Sequence, residues 1–172
     1  MCGYASKGGR VMILGDVVDR AWTNSVNDPR CQDLSINIFG SASKYCGESL
    51  MGGDFVFGGL RWDERGALRS EDRPYRGTKL LGGASRGRLL FLDPERRLHP
   101  AQHTAAKEQA MDPAEWPEWR GKLEALLEFG GVRIDRSGAD PVIEVDGMPV
   151  PLNPETCRLL VPTGGLKGYE SH

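Results

Sequence analysis

MCGYASKGGRVMILG (residues 1–15) and YCGESLMGGDFVFGG (45–59) follow one pattern: Cys-Gly, four residues, Gly-Gly, then an apolar alternation. Aligning them pairs Gly3 with Gly47, Gly8 with Gly52 and Gly9 with Gly53. A third copy stands in LLGGASRGRLLFLD (80–93), where Gly82 and Gly87 keep the same five-residue step. In each copy apolar residues sit three and five positions after the second glycine of that step: Val11 and Ile13, Phe55 and Phe57, Leu90 and Leu92. Period two is the mark of a half-buried strand. The glycines before it mark a tight bend that needs positive φ or close backbone approach.

The copies lie 44 and then 35 positions apart. Self-similarity at such a period, with short strands and glycine corners, points to a solenoid whose coils stack about 4.8 Å apart through parallel ladders. SINIFGSAS (35–43) adds a second strand to the middle coil through Ile36 and Ile38. The fold expected is mostly β: a short right-handed parallel β-helix over residues 1–98, followed by a C-terminal α-helix and a small β-hairpin within 99–172. A glycine-rich antiparallel sandwich is the alternative. Terminal coils of such a stack need caps or partners. Because residue 1 already stands in a repeat corner, the first coil is expected to be covered by another subunit or by the chain's own C-terminal segment.

Composition narrows the class. A net charge of −2 over 172 residues gives no electrostatic footprint for nucleic acid or an anionic membrane. The sequence has no apolar run of about eighteen residues and no secretory signal pattern. Cys2, Cys31, Cys46 and Cys157 form no CxxC pair, which suits a reducing, cytoplasmic setting rather than a disulfide framework or a dedicated metal site. Fifteen of the 23 glycines fall in the first 90 residues, so the two halves are built differently.

Residues 60–79 read as a charged, solvated connector. MDPAEWPEWRGKLEALLEFGG (111–131) reads as a helix with Asp112 as N-cap, Pro113 in the first turn and Gly130 as the stop. Its apolar stripe is Trp116, Trp119, Leu123, Leu126 and Leu127, expected to pack across the face or end of the solenoid. VIEVDGMPVPL (142–152) carries a hairpin signal at Asp146-Gly147. The tail LVPTGGLKGYESH (160–172) is expected to be mobile unless a partner holds it.

Several motifs invite chemistry. GDVVDR (15–20) resembles the GDxVDR segment of binuclear metallophosphatases, but the upstream Asp-x-His and downstream Asn-His-Glu of that family are missing, and all histidines (His99, His103, His172) lie past residue 98. The segment carrying Asp16 and Asp19 is therefore read as a strand leaving a solenoid corner. The glycine runs lack a Walker ending or a GxGxxG, and they precede strands rather than helices. His99 and His103 are four apart without a third ligand at matching spacing, so they are read as surface histidines. Cys2 and Cys46 are read as small apolar corner residues stacked on each other. Asp93, Glu95, Arg96 and Arg97 carry no catalytic spacing.

The stretches GYASKGGRVMILGD, CGESLMGGDFVFGGL and GTKLLGGASRGRLLF resemble the GXGXG domain family, found as the C-terminal β-helix of the glutamate synthase large subunit and, in similar form, in formylmethanofuran dehydrogenase. The likeness covers about residues 1–98. It implies a scaffold that packs against catalytic domains and supplies no catalytic residue. It implies no cofactor on this chain, with FMN and iron–sulfur clusters held by partner subunits such as synthase, amidotransferase or iron–sulfur subunits. The glycines Gly3, Gly8, Gly9, Gly47, Gly52, Gly53, Gly82 and Gly87 are then structural. The expected function is a non-catalytic subunit of a cytoplasmic, heteromeric glutamate-synthase-like oxidoreductase or amidotransferase complex. Two rivals are an independent enzyme or small-molecule binder with a cleft between solenoid and helix, and a self-stacking homo-oligomer.

Overall fold

The alternation after the glycines does form strands. The computed structural model describes residues 2–164. In chain order it contains β1 (Arg10–Ile13), β2 (Ser35–Ile38), β3 (Met51–Phe57), β4 (Leu60–Trp62), β5 (Leu68–Ser70), β6 (Arg86–Leu92), β7 (Ala106–Gln109), α1 (Trp116–Phe129), β8 (Val142–Val145), β9 (Met148–Pro151) and β10 (Cys157–Pro162). The described residues are thus mostly sheet, with one α-helix. The main sheet has the order β1-β2-β3-β6-β10-β7. Its first four strands are parallel, and β10 and β7 are antiparallel additions.

Register sorts side chains into two faces. One column runs Val11, Ile36, Phe55, Leu89, and the next runs Ile13, Ile38, Phe57, Phe91. These enter one hydrophobic core, in which the Phe57 and Phe91 rings stack with centroids 4.5 Å apart. The opposite face carries Arg10, Ser35, Asp54, Arg88 and then Met12, Asn37, Val56, Leu90.

This register corrects two sequence readings. SINI is a rung of the same ladder, lying between the first two glycine copies. Arg10 to Ser35 is 25 positions, Ser35 to Asp54 is 19, and Asp54 to Arg88 is 34. The third copy is also displaced by one residue, since Leu89 and Phe91 face the first core while Leu90 and Leu92 join the second. The cause is a β-bulge at Gly52-Gly53: Met51 to Asp54 takes three steps where Arg86 to Arg88 takes two. The equivalent glycines are therefore Gly9, Gly53 and Gly87, with φ of 106°, 102° and 121°.

A stacked corner follows the same rhythm. Trp22 N–H donates to the Cys2 carbonyl, Gly47 N–H to the Ala21 carbonyl, and Leu81 N–H to the Cys46 carbonyl. Gly3, Trp22, Gly47 and Leu81 all have positive φ, as do Ala5, Asn24, Ser49 and Gly83 two residues on. The left-handed region here is held mostly by residues other than glycine, so composition did not reveal it. In this column the Ala21 level lies between those of Cys2 and Cys46. Two further parallel bridges, Val17 with Ala42 and Val26 with Met51, link the same passes of the chain.

The C-terminal part covers the other face of the sheet. The α1 stripe of Trp116, Trp119, Leu123, Leu126 and Leu127 is buried against Val56, Leu90, Leu92 and Leu159. The N-cap is Glu115, without a side-chain bond; Asp112 caps the preceding turn by accepting from Ala114 N–H at 2.8 Å. β8 and β9 form the expected hairpin, with Asp146 and Gly147 at φ of 53° and 74°. The stretch read as a solvated connector contains a second hairpin, β4–β5, whose turn is closed by Arg65 and Ala67 N–H groups donating to Asp63. Its charges occupy the turn and outward positions, which hid Leu60 and Leu68 in the core. The start of the supposed mobile tail is β10, paired on both sides. Both of its faces are covered, so it lacks the alternation that identifies a half-exposed strand. Residues 165–172 of that tail lie outside the described residues.

Candidate functional site

Two places follow from this architecture. The first is a cleft. Because the apolar stripe of α1 sits over β3, β6 and β10, the polar outer positions of β1 and β2 remain under the overhanging edge of the helix. The resulting space is about 740 Å³, lined by Arg10, Ser35, Asn37, Asp54, Arg88 and Lys122 among others. Asp54 is its hub. It accepts two bonds from Arg88, both 2.8 Å, and a third from Lys122 at 2.5 Å. Arg88 and Lys122 each lie 4.9 Å from the centre of the Trp119 ring, and Lys122 also pairs with Glu118 at 2.7 Å. The hydrogen bonds from Arg88 to Asp54 hold the guanidinium further above its ordinary pKa. With both oxygens engaged in charge-assisted bonds, Asp54 clasps helix to sheet rather than acting as a general base. Asn37, 2% exposed, donates to the Val11 carbonyl and the Ser35 hydroxyl, while its Oδ1 has no partner.

The second place is the sheet's β1 edge. The Gly9 and Ile13 carbonyls accept from Ser35 and Phe39 of the β2 pass. By the period of a strand, the even residues Arg10, Met12 and Leu14 turn their backbone groups the other way. Among the described residues no strand pairs with that side. The same outermost pass exposes Tyr4 (59%), Leu14 (56%) and Val18 (68%). The opposite edge, β7, differs: Lys107, Glu108 and Gln109 are all exposed and polar, a composition that blunts an edge against pairing.

The residues singled out in the sequence fall as follows. Gly8 faces the Gln32 carbonyl, Gly52 lies against Asn27, Gly53 under Leu34, and Gly87 under Leu50. Gly82 accepts from Ser49 N–H at 2.8 Å. Asp16 accepts from Ser41 N–H and pairs with Arg76, and Asp19 accepts from Lys44 N–H, so both tie one pass to the next. Hydrogen bonds from the Ser43 side chain and the Lys44 backbone hold the Asp19 carboxyl below its ordinary range. His99 caps a short 3-10 turn, accepting from Ala101 N–H. His103 is buried rather than on the surface, because residues 99–106 fold over the end of the first core, where Gln102 donates to the Tyr75 and Gly77 carbonyls. Asp93 accepts from Arg97 and Leu98 N–H groups and meets the buried Arg158, while Arg97 pairs with Glu95 and Arg96 with Glu108. Burial pushes the Cys46 and Cys157 thiols up to about 12, which makes them poor nucleophiles.

Among the described residues no three His, Cys, Asp or Glu side chains are placed to hold a metal ion, and no helix is long and apolar enough to cross a membrane. Sequence reading missed Asp54, Lys122 and Asn37. The available signal was their position opposite the apolar alternation on β2 and β3, and the four-residue step from Glu118 to Lys122. Comparison with protein-family models, curated proteins and solved structures gives no match to this chain.

Proposed function

We propose that residues 1–98 form a short right-handed parallel β-helix and that the chain is a non-catalytic scaffold subunit, joined into its assembly through its β1 edge. The observation that carries the reading is the contrast between the two sheet edges: the β1 pass exposes Tyr4, Leu14 and Val18, whereas the exposed residues of β7 are all polar. Supporting the β-helix are three parallel connections between the first two passes (10–34 and 35–53): the main ladder, the Val17–Ala42 bridge and the Val26–Met51 bridge. Nineteen residues would be one bare coil; the 25- and 34-residue passes would carry insertions, the longer one including the β4–β5 hairpin. Right-handedness follows the general rule for parallel crossovers. Residues 99–164 would then serve as cover for the sheet face and the far end of the stack.

The class of assembly rests on the resemblance of the three glycine stretches to GXGXG domains. On that basis the partners are the flavin, iron–sulfur or amidotransferase subunits of a cytoplasmic glutamate-synthase-like complex, and this chain holds no cofactor of its own. Native mass spectrometry of the protein isolated gently from its host tests this. A complex with flavin- and iron–sulfur-bearing subunits is expected; the chain found only alone or with itself would overturn the reading.

A further inference from the structure

We infer that the partner on the β1 edge is a second copy of this chain, joined antiparallel about a twofold axis at Met12. The inference rests on the docking role proposed for that edge and names its occupant. Three features of the edge select a second copy in this orientation.

The first is the backbone. Arg10 and Met12 of β1 present their N–H and C=O groups outward, with Leu14 in the bend just after the strand, and an antiparallel ladder pairs residues whose groups both point across the gap. Placing Met12 opposite itself sets Arg10 against Leu14 of the second copy and repeats that pair on the other side of the axis. Such an interface is isologous and closes after two subunits, so it removes the open edge without building a fibre.

The second is charge. Lys7 and Arg10 precede or open the strand, while Asp16, Asp19 and Arg20 follow it, all of them exposed, so the first end carries two positive charges and the second a net negative one. Antiparallel pairing brings the basic end of each copy beside the acidic end of the other; parallel pairing would set like against like. Both aspartates already bond to the next pass. Asp16 keeps 40% of its side chain exposed. They act here through their field, favouring orientation more than affinity.

The third is apolar surface. Leu14 and Val18 lie on the C-terminal side of β1 and Tyr4 on the N-terminal side. With Met12 on the axis, Leu14 comes against the aliphatic stem of Arg10 and Val18 against Ser6 of the second copy, which takes both apolar side chains out of water.

The test uses the purified full chain. Sedimentation equilibrium over a concentration series is expected to give a dimer of twice 18.9 kDa. Met12→Pro removes an outward N–H that the internal ladder does not use, and proline is tolerated on such an edge. It should raise the dimer dissociation constant at least tenfold while circular dichroism and the unfolding midpoint hold. Val18→Lys should do the same, by setting a cation beside Lys7 and Arg10 of the second copy, so the outcome does not depend on one variant folding. Met12→Cys, in a Cys2→Ser/Cys31→Ser background, should crosslink on mild oxidation, because hydrogen-bonded antiparallel pairs hold Cα atoms about 5.5 Å apart, within disulfide range. A monomer at every concentration, or a dimer indifferent to both edge variants, overturns the inference. A monomer that still enters a flavin-bearing assembly in the host overturns the second copy and leaves the scaffold reading standing. A Met12-dependent dimer found alone in the host does the reverse.

Discussion

The glycine-cornered passes of residues 2–92 and the C-terminal cover of residues 106–162 share a sheet, yet they are specified by different means. In the first region backbone conformation sets the register. Four equivalent corners repeat positive φ at alternate residues, and Gly9, just before β1, and Gly53 and Gly87, early in β3 and β6, repeat it along the ladder. In the second region side chains decide: a five-residue apolar stripe seats α1, and Asp146-Gly147 closes a hairpin. Local signals therefore suffice to find α1 and the β8–β9 hairpin, though not β7 or β10, whereas the first region is legible only through its repetition. The two meet where β10 pairs with β6, in a ladder from Cys157–Leu92 to Leu160–Leu89.

That meeting point predicts joint unfolding. Phe57→Ala empties the stacked column of the first core, and Leu123→Ala opens the second; both parent side chains are fully buried. Losses of about 3–5 and 2–5 kcal/mol are expected for such truncations. In a chain of this length each corresponds to a drop of roughly 5–20 °C in the midpoint. Because β10 ties the cores together, tryptophan fluorescence and far-UV circular dichroism should report one coincident transition in each variant. Two separated transitions in Leu123→Ala would show that the cover folds by itself and that the shared sheet couples the regions weakly.

A smaller effect separates the two kinds of turn. Gly87 has φ of 121°, and a Cβ there would run into Leu50 of the pass before it. Gly147 has φ of 74° and open space around it. Gly87→Ala should lose roughly 1–3 kcal/mol from backbone strain, with the clash in addition. Gly147→Ala should lose only about 1–2 kcal/mol, the left-handed cost alone. Urea denaturation of the pair reads the difference, and equal losses would mean that close approach between passes contributes little to register.

The same contrast explains what the sequence disclosed. The helix stripe, its glycine stop and the hairpin were legible because each is encoded within about twenty residues by period or turn chemistry. The strands after the glycines were legible through alternation. The 19-residue spacing from β2 to β3 was not, because the passes on either side of it run 25 and 34 residues and the glycine copies fall 44 and 35 apart. The corner was hidden for a second reason: Ala5, Arg20, Trp22, Asn24, Tyr45, Ser49, Lys79 and Leu81 all take positive φ there without being glycine. The Asp54 clasp was illegible because its partners come from β6 and α1, which only the fold brings together.

The corners also allow the smallest and most discriminating test, since one type of substitution should have opposite signs in the two regions. Ser49 holds φ of 55° in the column that Gly83 continues with φ of 67°. An L-residue in the left-handed region costs about 1–2 kcal/mol relative to right-handed backbone, and glycine escapes that cost while losing about 0.5–1 kcal/mol more in conformational entropy. Ser49→Gly should therefore raise stability by about 0.5 kcal/mol. Ala125→Gly, within α1, should lower it by about 1 kcal/mol, since glycine in a helix interior brings only the entropic penalty. Chemical denaturation with matched slopes resolves differences of this size. A loss in both variants would mean that the neighbouring passes, rather than the residue's own conformational preference, bear the strain of the corner.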